Sequence, residues 1–186
     1  MEQFTNTPID TTTLPRFETV PFTALHPDYK KVIILHIAVF ILVLVAIAGI
    51  LLVVNPELAS RELLLGTGIG IAVFGAIVTF FSLLSFRKKG FAFRQHDVLF
   101  RSGVIATKTI IIPYSRVQHV ALHQGFVSGK LGLAAIEIFT AGGGDSDINI
   151  PGIEKEHAEN IKQLLMTKLN HTTKETTAIT PSEDEL

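Results

Sequence analysis

No cysteine occurs in the 186 residues. That excludes disulfides and any thiolate nucleophile, and it accords with a reducing compartment without requiring one. Catalytic signatures are missing as well. There is no H-E-x-x-H, no Walker loop and no clustered pair of carboxylates, so no catalytic, cofactor-binding or metal-ligating residue is expected. Charge is also absent where it matters most. Val32 to Val54 is 23 residues without Asp, Glu, Lys or Arg, and His36 is its one polar side chain. Leu63 to Phe86 is 24 residues without a charge, interrupted only by Thr67, Thr79, Ser82 and Ser85.

About 20 apolar residues in a helix cross a hydrocarbon core of roughly 30 Å. A helix satisfies its own backbone hydrogen bonds there, so the two runs predict a transmembrane hairpin over 30–87, with spans at 32–54 and 63–86. A signal peptide is the competing reading of the first run. It fails because the run is long, ends in "NPELASRE" and is followed at once by a second span. Lys30, Lys31, Arg87, Lys88 and Lys89 flank the outer ends of the spans, whereas the loop between them carries only Arg61. Five cations against one predict that both termini lie in the cytoplasm of a bacterial inner membrane. The mean hydropathy of +0.42 has the same origin.

The remaining chain divides into three. Residues 1–29, with "NTPIDTTTLPRFETVPF", read as a flexible arm, and 171–186, "HTTKETTAITPSEDEL", as a disordered acidic tail. Residues 88–170 are enough for one small domain. Asp97 to Arg101 alternates, Ser102–Gly103 signals a turn, and Val104 to Ile112 is a second β-rich run that Pro113 ends. Val120 and Leu122 oppose His119 and His123; Ala134, Ile136 and Ile138 oppose Glu137; "GGGDS" is a turn before Ile148 and Ile150. After Pro151–Gly152 the period changes. Ala158, Ile161, Leu165 and Leu169 form a helical stripe that Leu164 widens. Six or seven short antiparallel strands and a terminal helix are expected, an α+β arrangement.

"RSGVIATKTIIIPYSRVQHVALHQGFVSGKLGLAAIEIFTAGG" followed by "INIPG" resembles the bacterial pleckstrin-homology-like (PH-like) domain family in its short, YdbS-like membrane form. The features that carry the resemblance are Arg101/Gly103, Ile112/Pro113/Arg116/Val117/Gln118, Gln124, Lys130/Leu131/Gly132/Leu133 and Thr140/Ala141/Gly142/Gly143. Leu25/Pro27/Tyr29 resemble the approach to the spans in short members. Lys130 stands where the family pattern leads to Arg; it keeps the charge and loses the planar fork. The resemblance implies a PH-like antiparallel β-barrel or sandwich capped by the C-terminal helix, and no reaction. It also implies a longer homologous PH-like membrane protein as a partner.

His119 and His123 share a strand face but stand about 13 Å apart, too far for one metal. Gly66 to Gly70, "GTGIG", has Ile71 where a dinucleotide fingerprint needs Gly, so Gly66, Gly70 and Gly75 are read as helix-packing positions, against the first span or a second copy. "GFVSGKLG" misses the nucleophile elbow by one register. His36, about one turn inside its span, is read as a hydrogen-bonded histidine near the headgroups, with a functional role as the alternative. Phe126, Val127 and Leu131 beside Lys130 are read as a loop packed on the core, with an apolar contact lip as the alternative.

Arg87 to Asn170 holds 11 Lys/Arg against 7 Asp/Glu, while His171 to Leu186 has one Lys against four acids. The near-neutral total thus conceals a basic domain on a short tether. Arg87, Lys88, Lys89, Arg116, Gln118 and Lys130 are the candidate contacts to a protein partner or to membrane lipid, each basic residue near an anionic leaflet being worth on the order of 1 kcal/mol. The expected function is a non-enzymatic, membrane-anchored interaction module whose partners do not include nucleic acid. An accessory subunit of a transporter or envelope-stress complex, acting through the spans, is the alternative.

Overall fold

A computed structural model describes residues 19–58, 60–142 and 146–178. The two uncharged runs are helices, α1 (Tyr29–Val54) and α2 (Arg61–Lys88), joined through a 3₁₀ turn at Pro56–Leu58. Ser60 starts α2 from an extended backbone, its hydroxyl accepting from the Leu63 N–H at 3.3 Å. At the end of α1 the Asn55 amide donates to the Leu51 carbonyl at 3.1 Å. Val32 is the buried position of α1 and Gly75 that of α2. A Cβ at Gly75 would lie 2.7 Å from Ile41 Cδ1, so the helices touch there. Most of the Leu, Ile, Val and Phe side chains elsewhere on both helices face outward, the surface expected where hydrocarbon is the solvent.

Beyond α2 the chain builds two antiparallel sheets. The first has the order β1-β2-β3-β4: β1 (Thr23–Ala24), β2 (Gly90–Phe93), β3 (Asp97–Ser102) and β4 (Lys108–Pro113). The second has the order β5-β6-β7: β5 (Val117–His123), β6 (Leu133–Thr140) and β7 (Ile148–Glu154). A short helix α3 (Phe126–Lys130) joins β5 to β6, and α4 (Lys155–Ala178) closes the domain. The sheets face each other as an open sandwich rather than a closed barrel. Val98, Ile112, Ile136, Ile138, Ile148 and Ile150 fill the space between them, and Ala158, Ile161 and Leu165 of α4 plug it.

Several boundaries differ from expectation for identifiable reasons. The arm is not a free segment over its last part: β1 pairs with β2, Thr23 opposite Phe91 and Ala24 opposite Gly90, and Leu25 is only 5% exposed. Residues 1–18 lie outside the described residues. The run from Val104 becomes a strand only at Lys108, because Gly103 turns at φ +123°, where a Cβ would collide with the Ala106 carbonyl. Pro113 is the last residue of β4, so the run ends where expected, whereas Pro151 sits inside β7; both are edge strands, which need no N–H from a proline on the open side. A bulge between Val117 and His119 shifts the phase of β5, so Val117 and Val120 are both buried. Leu164 is 43% exposed and does not widen the buried stripe. Helix α4 runs past 170 to Ala178, where a disordered tail was expected; residues 179–186 lie outside the described residues, as does Gly143 of the turn.

The strand directions give the domain two ends. Since β2 leaves α2 after Lys89, Gly90 marks the span-proximal end, and its partner Arg101 places the β3–β4 turn there too. The β5–β6 connection and the β7–α4 junction share that end, because Leu133 pairs with Glu154 and Gly152 meets Tyr29. The span-distal end carries the β2–β3 turn and the 3₁₀ turn Tyr114–Arg116. Tyr114 clamps it: its hydroxyl donates to the Arg94 carbonyl at 2.6 Å and its N–H to the His96 carbonyl at 3.0 Å. Burial, with the Asp97 carboxylate nearby, pushes the phenol above its ordinary pKa. Tyr114→Phe leaves the Arg94 carbonyl without this donor and is expected to cost about 1–2 kcal/mol, measured as a lower denaturant midpoint with an unchanged slope.

Candidate functional site

The six candidate contact residues fall into two groups at opposite ends, separated by the length of β5, about 20 Å at 3.3 Å per residue. Arg87, Lys88, Lys89 and Lys130 are span-proximal; Arg116 and Gln118 are span-distal.

At the span-proximal end the junction is packed rather than loose. The His26 N–H donates to the Gly152 carbonyl at 2.8 Å. Gly152 has φ +65°, and a Cβ there would lie 2.5 Å from Tyr29 Cγ, so the tyrosine ring rests directly on the glycine. The same ring also meets Phe86 of α2, with centroids 6.4 Å apart. The tether inferred from sequence is therefore a seat that joins β7, α1 and α2.

Around this seat lies a ring of cations. Arg87 and Lys88 end α2 and are exposed, Lys89 is half-buried, and Lys30 and Lys31 open α1. Lys31 Nζ pairs with Asp28 at 2.7 Å, and that contact holds the Asp28 carboxyl below its ordinary pKa. Two clefts open between these cations and the apolar helices. One, of about 340 Å³, has Ile33, Phe81 and Phe86 as walls and Lys89 at its edge. The other, of about 390 Å³, has Phe80, Leu83 and Leu84 with Lys30 and Arg87. Each cleft thus combines apolar side chains of the spans with at least one cation, and the first also takes in the Ser82 and Ser85 hydroxyls. Lys130 stands apart from this ring on α3, its ammonium 4.5 Å above the Phe126 ring.

At the span-distal end, Arg116 is exposed, and its side chain has no hydrogen bond or ion pair among the described residues. Its carbonyl, not its guanidinium, ties the turn to β6 by accepting from the Ala141 N–H at 3.2 Å. Gln118 is exposed at the bulge of β5. Arg94 and Asp97 satisfy each other across the neighbouring turn at 2.6 Å. Arg116 thus lies in the turn from β4 to β5 and Gln118 in the first residues of β5; β4 and β5 are each an edge strand of their sheet, and α4 packs on β5.

The remaining candidates separate as well. Gly75 packs on Ile41, whereas Gly66 and Gly70 have nothing within 4 Å of an added Cβ. His36 Nδ1 donates to the Val32 carbonyl at 2.7 Å within its own helix. His119 stacks on Phe139 at 4.1 Å, and His123 Nε2 lies 2.9 Å from Glu137, so the two imidazoles have different neighbours. Among the described residues no three metal-ligating side chains converge. Sequence reasoning missed Gly152 as the bed for Tyr29; its signal was a glycine next to a proline, which reads equally well as a turn.

Two apolar helices packed on a two-sheet domain with a C-terminal helical cap define a membrane protein carrying a PH-like module. The family model described as the bacterial PH domain matches residues 31–169. The chain belongs to that family. It is 34% identical over 90 residues to the UPF0699 transmembrane protein YdbS of Bacillus subtilis (strain 168), an alignment that covers 47% of this chain and 55% of the relative. The chain therefore matches about half the length of that relative. Neither similarity is to an enzyme family. No solved structure matches the chain.

Proposed function

We propose that the chain is a non-enzymatic docking module of the bacterial cytoplasmic membrane, with both termini in the cytoplasm. Its span-distal corner binds a membrane-protein partner, a longer homologous PH-like membrane protein being the leading case. The observation that carries this reading is the exposure of Arg116, in the turn from β4 to β5, and of Gln118, near the start of β5, beside the two edge strands. An arginine beside unpaired strand edges offers a planar fork and a row of backbone groups, both suited to a polypeptide. Anchorage raises the effective concentration of such a corner for partners in the same membrane, so a weak contact suffices.

Cross-linking in native membranes, followed by purification in mild detergent, tests the proposal. The double variant Arg116→Glu/Gln118→Ala is expected to lose the partner that the unaltered chain retains, with affinity falling roughly 30-fold for a buried interface arginine. Equal recovery from both chains would overturn it. Lipid headgroups held by Arg87, Lys88 and Lys89 are a second contact, favoured by the two clefts beside them. The accessory-subunit reading is favoured by one observation, the open approach to Gly66 and Gly70. Under that reading Gly66→Leu/Gly70→Leu abolishes the cross-link and the Arg116/Gln118 variant does not.

A further inference from the structure

Among the described residues outside the spans, the two most exposed large apolar side chains both lie at the span-proximal end of the domain. Ile105 is 94% exposed at the tip of the β3–β4 turn, and Phe126 is 79% exposed on α3. The turn extends beyond the Arg101–Gly90 pair, past the point where β2 leaves α2, and β3 touches α2. Helix α3 touches α1. Both side chains thus sit at the end of the domain that joins the hairpin, the end that also carries Lys30, Lys31, Arg87, Lys88 and Lys89. Each has a cation beside it. Lys130 Nζ sits 4.5 Å over the Phe126 ring, and Lys108 is exposed at the foot of the β3–β4 turn.

We infer that Ile105 and Phe126 insert into the cytoplasmic-side interface of the bilayer that the chain spans, and hold the domain in one orientation on it. An aromatic ring or a branched aliphatic side chain placed at headgroup level finds its lowest free energy at the acyl boundary, while a neighbouring lysine snorkels to the phosphates. Lys130 keeps its place over the ring while doing so. The occupant is lipid, because both side chains lie at the end of the domain from which the outward-facing apolar helices α1 and α2 leave, and the lysines near them carry the charge that complements an anionic leaflet. The consequence is division of labour: with two apolar points beside the hairpin fixed in lipid, Arg116 and Gln118 are presented to the cytoplasm at a set height. The inference rests on the membrane placement of the spans and not on the identity of the partner.

The chain contains no tryptophan, so one introduced indole reports without background. Full-length Ile105→Trp, Phe126→Trp and, as the span-distal reference, Ser115→Trp are reconstituted in nanodiscs of phosphatidylcholine and phosphatidylglycerol with or without bromine on the acyl chains. The indoles at 105 and 126 are expected to emit at shorter wavelength and to lose most of their fluorescence to bromine, and the one at 115 to do neither. Emission at 105 and 126 that matches 115 overturns the inference. So does quenching at only one of them, or a blue shift without quenching, which would mean that protein covers the site. Repeating the measurement without phosphatidylglycerol separates the readings: quenching that persists supports apolar insertion even where headgroup charge recognition fails.

Discussion

Gly152→Ala is expected to destabilise the domain by about 3 kcal/mol, the sum of a left-handed backbone forced on an L-residue (about 1–2 kcal/mol) and an overpacked contact (about 1–3 kcal/mol). Both causes are visible at the same atom: φ is +65°, and the new methyl would sit 2.5 Å from Tyr29 Cγ. For a domain of this size each kcal/mol lowers the melting midpoint by roughly 4–8 °C, so a fall of more than 10 °C is expected. A double-mutant cycle separates the causes. In a Tyr29→Gly background, which removes both the ring and the Cβ that would lie 2.7 Å from the new methyl, the steric part disappears and Gly152→Ala costs only its backbone part, about 1–2 kcal/mol. Equal costs in both backgrounds would show that Tyr29 does not rest on Gly152. The domain's attachment to α1 would then be looser than this geometry requires.

Inverting the charge bias should produce the largest effect on placement. Replacing Lys30, Lys31, Arg87, Lys88 and Lys89 with Gln leaves Arg61 as the flanking cation of the spans. Adding two lysines to the loop between α1 and α2 then reverses the bias. A green fluorescent protein fused after Leu186 is expected to fluoresce with the native charges. Alkaline phosphatase at the same point is expected to be active only with the reversed ones. Phosphatase activity on the native chain would place the domain outside and remove the basis for a cytoplasmic partner.

How much of this was readable without coordinates depended on whether a pattern had a clear period. The spans were legible because an uncharged run leaves few alternatives, and β6 was legible because Ala134, Ile136 and Ile138 alternate cleanly with Ala135 and Glu137. The stripe Ala158, Ile161 and Leu165 held for the same reason, but its length did not suffice to place Leu164, whose exposure depends on where α4 crosses the sheets. Short elements carried too little signal. β1 has two residues; β2, "GFAF", follows the basic end of α2 without a break; α3 lies in a glycine-flanked segment that reads as loop. The candidate contacts were legible as residues and not as places. Nothing in the spacing of Arg116, Gln118 and Lys130 tells that the first two and the third occupy opposite ends. That separation arises because β5 reverses the chain across the whole domain before α3 begins.

The pairing of Thr23–Ala24 with Gly90–Phe91 has a further bearing on biogenesis. The ribosome delivers the edge strand first, and its mate emerges only after the entire hairpin has been made. Zipping the two together requires that the chain between them return to the compartment it left, so a nascent chain with only one segment inserted leaves the first strand stranded across the bilayer from its mate. Completion of the sheet therefore reads out whether insertion was finished, and a half-inserted chain would expose the bare flank of β2, which quality-control proteases could recognise.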